Sequence, residues 1–124
     1  KLTREWYILL NRSTNQLMFS YSTDWVNQAA QILWDWTPVT NQWYHIAIVR
    51  QSSTDTRMYI DGQQVWSTHT TDYNIVDRAN PIRLWTDTDN GIARYFLKWY
   101  LDEVRISKWI ARWTENFTPE TSAY

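Results

Sequence analysis

Three clusters of residues could do chemistry, and each has a plainer reading beside it. The run Asp87-Thr88-Asp89-Asn90-Gly91 sets acidic groups at alternate positions ahead of a glycine. Oxygen donors at that spacing can wrap a hard cation, which makes Asp87, Asp89 and Asn90 candidate calcium ligands. The run is shorter than an EF-hand loop and lacks its distal glutamate, so a solvated turn is the simpler expectation. Asp102 and Glu103 are adjacent carboxylates. On a strand they point to opposite faces, whereas a glycosidase pair must face one cleft at about 5–10 Å. His45 sits mid-strand between apolar neighbours and His69 in a polar loop. Two isolated histidines do not make a zinc site, and His45 is expected to be structural. The sequence contains no Ser/His/Asp order, phosphate-binding loop or cysteine nucleophile.

The elements that must position these groups read as short strands. Residues 6–10 form an apolar strand, 11–16 a polar turn, and 17–21 an alternating strand that closes a hairpin. A strand is expected at 31–34, followed by a connection at 37–42 that contains Pro38. Residues 43–50 are the clearest central strand. Trp43, His45, Ala47 and Val49 share one face and Tyr44, Ile46 and Ile48 the other; both faces are apolar, which suits a strand inside a sandwich with its outer face partly covered. Strands at 57–60 and 63–66 flank Asp61-Gly62, a strong two-residue hairpin signal. Pro81 precedes an expected strand at 82–85, residues 86–91 read as an acidic loop, and 92–106 as one or two strands. Within 101–106, Val104 and Ile106 should point inward and take Asp102 with them, as an acceptor for nearby backbone N–H groups. After Ser107 the apolar spacing changes at Trp109, Ile110 and Trp113, which predicts one helical turn capped by Ser107. In the polar tail, Phe117 and Tyr124 are candidate anchors.

Composition narrows the classes. The 124 residues suffice for one domain, and a net charge of −1 gives no footprint for nucleic acid or for an anionic membrane. There is no cysteine, hence no disulfide or thiolate site. No apolar run is long enough to insert into a bilayer.

Three motifs carry a family resemblance. Asp102-Glu103-Val104-Arg105-Ile106-Ser107-Lys108-x-Ile110-Ala111-Arg112-Trp113, followed by Asn116-Phe117-Thr118-Pro119, resembles the C-terminal strand and closing turn of laminin-G-like jelly-roll domains in the concanavalin A-like lectin/glucanase superfamily. Trp43-Tyr44-His45-Ile46-Ala47 and Met58-Tyr59-Ile60-Asp61-Gly62 resemble two further motifs of that family, in the same order. The resemblance implies an all-β fold, an antiparallel β-sandwich of jelly-roll type. Members usually carry additional N-terminal strands, one of them reading Phe-Thr-x-Glu-x-Trp, and no such segment occurs here. Residues 1–124 are therefore expected to be a single domain that lacks its first strands, or a natural short form.

In function, the resemblance implies a non-catalytic module that recognises a glycan or a surface protein through loops at one sandwich edge. Such a module would be an accessory part of a larger secreted, cell-surface or phage structural protein, so the expected location is extracellular, cell surface or virion. Loop-edge calcium is common in such domains. The alternatives are a structural spacer of a phage tail or adhesin, and a glycoside hydrolase. The enzymes' Glu-x-Asp-x-x-Glu strand is absent, which disfavours the last.

The tryptophan count is anomalous: ten, against two glycines. Turn-rich β-proteins need glycine where φ is positive. Trp25, Trp34, Trp66, Trp85, Trp99 and Trp109 stand at or near places where the resembling family has glycine or ends a strand. One reading is a UGA codon, glycine in some bacteria and phages, decoded as tryptophan. The other is that the tryptophans are genuine and some form a sugar-stacking platform. Their scatter along the chain counts against a platform.

Overall fold

A computed structural model describes residues 6–23, 30–66, 75, 82, 84, 87–89, 92–94 and 99–121. The first sheet contains β1 (Trp6–Asn11), β2 (Gln16–Tyr21) and β3 (Ala30–Asp35), in that order and antiparallel. The second contains β4 (Ile46–Ser52), β5 (Asp55–Ile60) and β6 (Gln63–Trp66), also antiparallel and in chain order. A two-stranded ladder joins β7 (Asp87–Asp89) to β8 (Ile92–Arg94). No helix occurs among the described residues. The two three-stranded sheets pack face to face as an antiparallel β-sandwich, with β3 alongside β6.

Register decides which residues meet. Ile8 opposes Phe19, which opposes Ile32; Leu10 opposes Leu17, which opposes Trp34. Opposed residues share a face, so Leu17, Phe19, Tyr21 and Ile32 form one apolar surface. Across the gap lie Met58 and Ile60 of β5, and these six residues make the main core, flanked by Ile48, Val65, Trp36 and Tyr44.

The strand β5 is buried on both faces. Met58 and Tyr59 are adjacent, point opposite ways, and are each 0% exposed. Tyr59 belongs to a second cluster with Ala47 and Val49, on the outer face of the second sheet, covered by Ala111, Trp113 and Phe117 of the C-terminal segment. The two apolar faces expected of the central strand are thus both covered, one by a sheet and one by the chain's own tail.

A tight turn makes that cover possible. Asp61 and Gly62 have φ of 50° and 76°, the two positive values that a type I′ hairpin requires. Asp61 N–H donates to the His45 carbonyl at 2.8 Å, and Asp61 Oδ1 accepts the His45 N–H at 2.8 Å. The Gly62 carbonyl accepts the Phe117 N–H at 2.9 Å. A Cβ on Gly62 would fall 1.8 Å from the Phe117 carbonyl oxygen. Asn116 completes the clasp: its Oδ1 accepts the Gln64 N–H at 2.8 Å and its Nδ2 donates to Gln63 Oε1 at 3.0 Å.

Several local expectations are corrected. The central strand starts at Ile46 rather than Trp43, because Tyr44 and His45 are drawn into the clasp and the β3–β4 connection; Trp43 is exposed. Ile82 and Leu84 are not in a strand, and both are exposed. The acidic stretch contributes a strand, β7, rather than a loop. Residues 101–106 form no strand and no helical turn follows. Asp102 is exposed and accepts its neighbour's N–H, from Glu103, at 2.9 Å, instead of pointing inward. Glu103 has φ of 50°, which breaks the alternation that the inward reading needs.

Of the six tryptophans at suspected glycine positions, Trp109 takes a positive φ, 69°, and is 91% exposed. Trp34 and Trp66 lie in strands, Trp99 has no positive φ, and Trp25 and Trp85 lie outside the described residues.

Two stability changes follow from these conformations. Gly62→Ala places a methyl where the Phe117 backbone passes and forces a left-handed φ on a non-glycine residue, so it should cost at least about 2 kcal/mol in denaturant unfolding. Trp109→Gly should raise the melting temperature by roughly 2–5 °C. It relieves about 1–2 kcal/mol of left-handed strain and gives up a weaker contact with Lys108, whose Nζ lies 5.1 Å from the indole centre. A lower melting temperature would mark Trp109 as native packing.

Candidate functional site

At the open end of the first sheet, a cleft of about 180 Å³ is framed by Arg12 and Asn15, by Trp36, Thr37 and Thr40, and by Trp99. Two turns build most of it. In the β1–β2 turn, Asn11 Oδ1 accepts the Ser13 N–H at 3.0 Å, and Asn15 takes φ of 52°, a conformation asparagine tolerates. The Asn15 carbonyl then accepts the Trp36 N–H at 2.7 Å, which ties this turn to the chain leaving β3. Gln16 Nε2 donates to Asp35 Oδ1 at 2.9 Å one residue pair further in.

The connection after β3 is fixed from behind. The Trp36 ring meets Tyr44 edge-on, with centroids 5.0 Å apart and planes at 86°. The Tyr44 hydroxyl accepts the Val39 N–H at 2.9 Å. Trp36 is half-buried, with one part packed on the main core. Trp99 reaches the cleft from a distant part of the chain and is 38% exposed.

This arrangement offers two indoles, a guanidinium, a side-chain amide and two hydroxyls, with no carboxylate among the described lining residues. Flat aromatic surface with a few directional polar groups is what a sugar ring needs: C–H faces for the indole, hydroxyls for the donors and acceptors. Two-carboxylate glycoside hydrolysis needs a carboxylate pair facing one cleft, and none occurs among the described lining residues.

The other candidates are not among the described residues that line the cleft. Asp87 and Asp89 lie on β7, opposite Arg94 and Ile92 in register. Asn90 and the side chains of β7 lie outside what the structure describes, as does His69. Asp102 and Glu103 are both exposed. His45, expected as a satisfied structural histidine, is packed among aromatic rings but not fully hydrogen-bonded. Its ring stands edge-on to Trp113 and to Phe117, each at 5.5 Å between centroids, and its Nδ1 is buried without a hydrogen-bond partner among the described residues. Trp113 and Phe117 stack on each other at 4.2 Å and 9°.

Sequence reading did not find Arg12, Asn15, Thr37 or Thr40. The one available signal was the pair of polar turns on either side of an apolar hairpin.

The all-β, two-sheet fold agrees with comparison to known proteins. A laminin-G family of the concanavalin A-like lectin/glucanase superfamily matches residues 2–112. The chain belongs to that family, whose domains are in general carbohydrate- or protein-binding modules and typically non-catalytic. No curated protein and no solved structure matches the chain.

Ionisation of the outer cluster gives a pH dependence. Burial pushes the Tyr59 phenol above its ordinary value, against the opposing pull of the Arg57 charge nearby. Arg57 is itself held by Asp55 in a two-point pair, each contact at 2.8 Å. The folded state therefore favours neutral Tyr59. Its contribution is full below the unfolded pKa near 10 and is lost as pH rises through the folded value. Tyr59→Phe should flatten the fall in stability above about pH 10, read as denaturant midpoints at pH 8 and pH 11. It should change little at pH 8, because the Tyr59 hydroxyl's contact with the Trp113 carbonyl is long, at 3.5 Å.

Proposed function

We propose that the protein is a non-catalytic glycan-binding module and that the edge cleft is its site. The observation that carries this reading is the convergence of Trp36 and Trp99 with Arg12 and Asn15 in one cleft. Trp36 provides the stacking surface and is the better placed of the two indoles, being braced by Tyr44 and by the Asn15 carbonyl. Asn15, Thr37 and Thr40 select among hydroxyl orientations, and Arg12 reads acceptor oxygens. The module works as an accessory domain of a larger secreted, cell-surface or virion protein, holding it to a sugar-bearing surface. Calcium, if bound, is held by the oxygen donors of Asp87, Asp89 and Asn90.

A glycan array followed by calorimetry on the hits tests the site. Trp36→Ala should weaken binding at least tenfold, about 1.4 kcal/mol, whereas Trp43→Ala, exposed and outside the cleft, should leave it unchanged. A folded protein with no array hit would favour the spacer reading, and release of reducing sugar from a β-glucan would favour the hydrolase. Repeating the titration with calcium and with a chelator settles the cation: no heat and no stabilisation removes it.

A further inference from the structure

Arg12 is the one charged side chain among the described residues that line the cleft. It is exposed, and it has no hydrogen-bond or ion-pair partner among the described residues. The stretches that build the cleft leave its charge unbalanced. No Asp or Glu occurs in 6–23 or in 36–54, although the whole chain has 13 acidic residues against 12 basic ones. Asp35, next to the cleft-lining Trp36, already accepts a hydrogen bond from Gln16 Nε2 at 2.9 Å. A neutral amide thus holds the carboxylate closest in sequence to Trp36, and the guanidinium stays open beside the indole.

We infer that the cleft selects a sugar carrying a carboxylate, a uronic acid, with Arg12 as the residue that determines the preference. This rests on the glycan-binding reading of the cleft. At about 180 Å³ the cleft is smaller than the roughly 300–1,000 Å³ of pockets that enclose a drug-sized ligand, so it fits a single ring. Trp36, half-buried, takes the apolar C–H face of that ring. Asn15, Thr37 and Thr40 serve its hydroxyls, as donors and as acceptors. A guanidinium has donors only, so it adds little for a neutral sugar that the amide and hydroxyls do not supply. Its planar fork matches the two coplanar oxygens of a carboxylate at the ring's edge, in two parallel charge-assisted hydrogen bonds.

An array of oligosaccharides containing glucuronic, galacturonic or mannuronic acid tests this, each printed beside its carboxyl-reduced counterpart and a sulfated neutral counterpart. Reduction turns the carboxylate into a primary alcohol and leaves the ring as it was. Calorimetry on the strongest acidic hit should show binding at least about tenfold tighter than to its reduced counterpart. Arg12→Gln, in an exposed turn outside both cores, should erase that difference by weakening the acidic sugar alone. Trp36→Ala should weaken both. Equal binding of the acidic and reduced forms overturns the selection and leaves the glycan-binding reading standing. So does an acid preference that survives Arg12→Gln, or binding confined to the sulfated counterparts. No binding to any member of the array, by a protein whose near-ultraviolet spectrum shows it folded, overturns both.

Discussion

The Gly62 carbonyl and the Phe117 N–H, 2.9 Å apart, hold the outer half of this molecule in place. The contact exists because Gly62 has no side chain: the Phe117 carbonyl occupies the space a Cβ would need. It exists also because Asp61 fastens the turn to His45 from the other side. Once Phe117 is there, its ring covers Tyr59 at 5.4 Å and stacks on Trp113. The outer face of the second sheet becomes an interior. Without that cover Tyr59, Val49 and Ala47 would face water, and a three-stranded sheet would have one core instead of two. Burying an aromatic or aliphatic side chain contributes about 1.5–3 kcal/mol, so three such residues are a large share of a domain's usual net stability.

The cleft depends on the inner half. Its floor is Trp36, whose position follows from the main core below it, Tyr44 beside it and the Asn15 carbonyl in front. The turn carrying Arg12 and Asn15 is a hairpin loop at the end of two well-packed strands. A binding surface on turns of a rigid sandwich can vary without disturbing the registers of β1, β2 and β3. The clasp and the cleft share the β3–β4 connection: Trp36, Thr37 and Thr40 line the cleft, and His45 further along is fastened to Asp61.

Much of this was legible in the residues. Asp61-Gly62 announced a two-residue hairpin between β5 and β6, and the two apolar faces of 43–50 announced a strand inside a sandwich with at least part of its outer face covered. The Asn116-Phe117 motif was visible too, but its purpose was not, since it lies in contacts with Gly62 and Gln64 more than 50 residues away in the chain. The segment 101–106 misled for a physical reason. Alternation specifies which face of a strand is apolar but not whether a neighbour is present to receive it, and within the chain no ladder forms there. Asp87 to Gly91 misled in the other direction: acidic residues suggested a loop, while Asn90-Gly91 is itself a hairpin signal between what are now β7 and β8. The cleft could not be read at all, because Arg12, Trp36 and Trp99 come from three separate stretches.

The central claim is that the tail segment and the second sheet are one cooperative unit fastened at Gly62. Native-state hydrogen exchange at the Phe117 amide tests this most directly, with the Tyr59 amide of β5 as the reference. The account predicts that the two opening free energies agree within about 1 kcal/mol, since neither amide can open while the clasp is closed. A Phe117 amide that exchanges at the rate of an exposed loop, while Tyr59 stays protected, would contradict it.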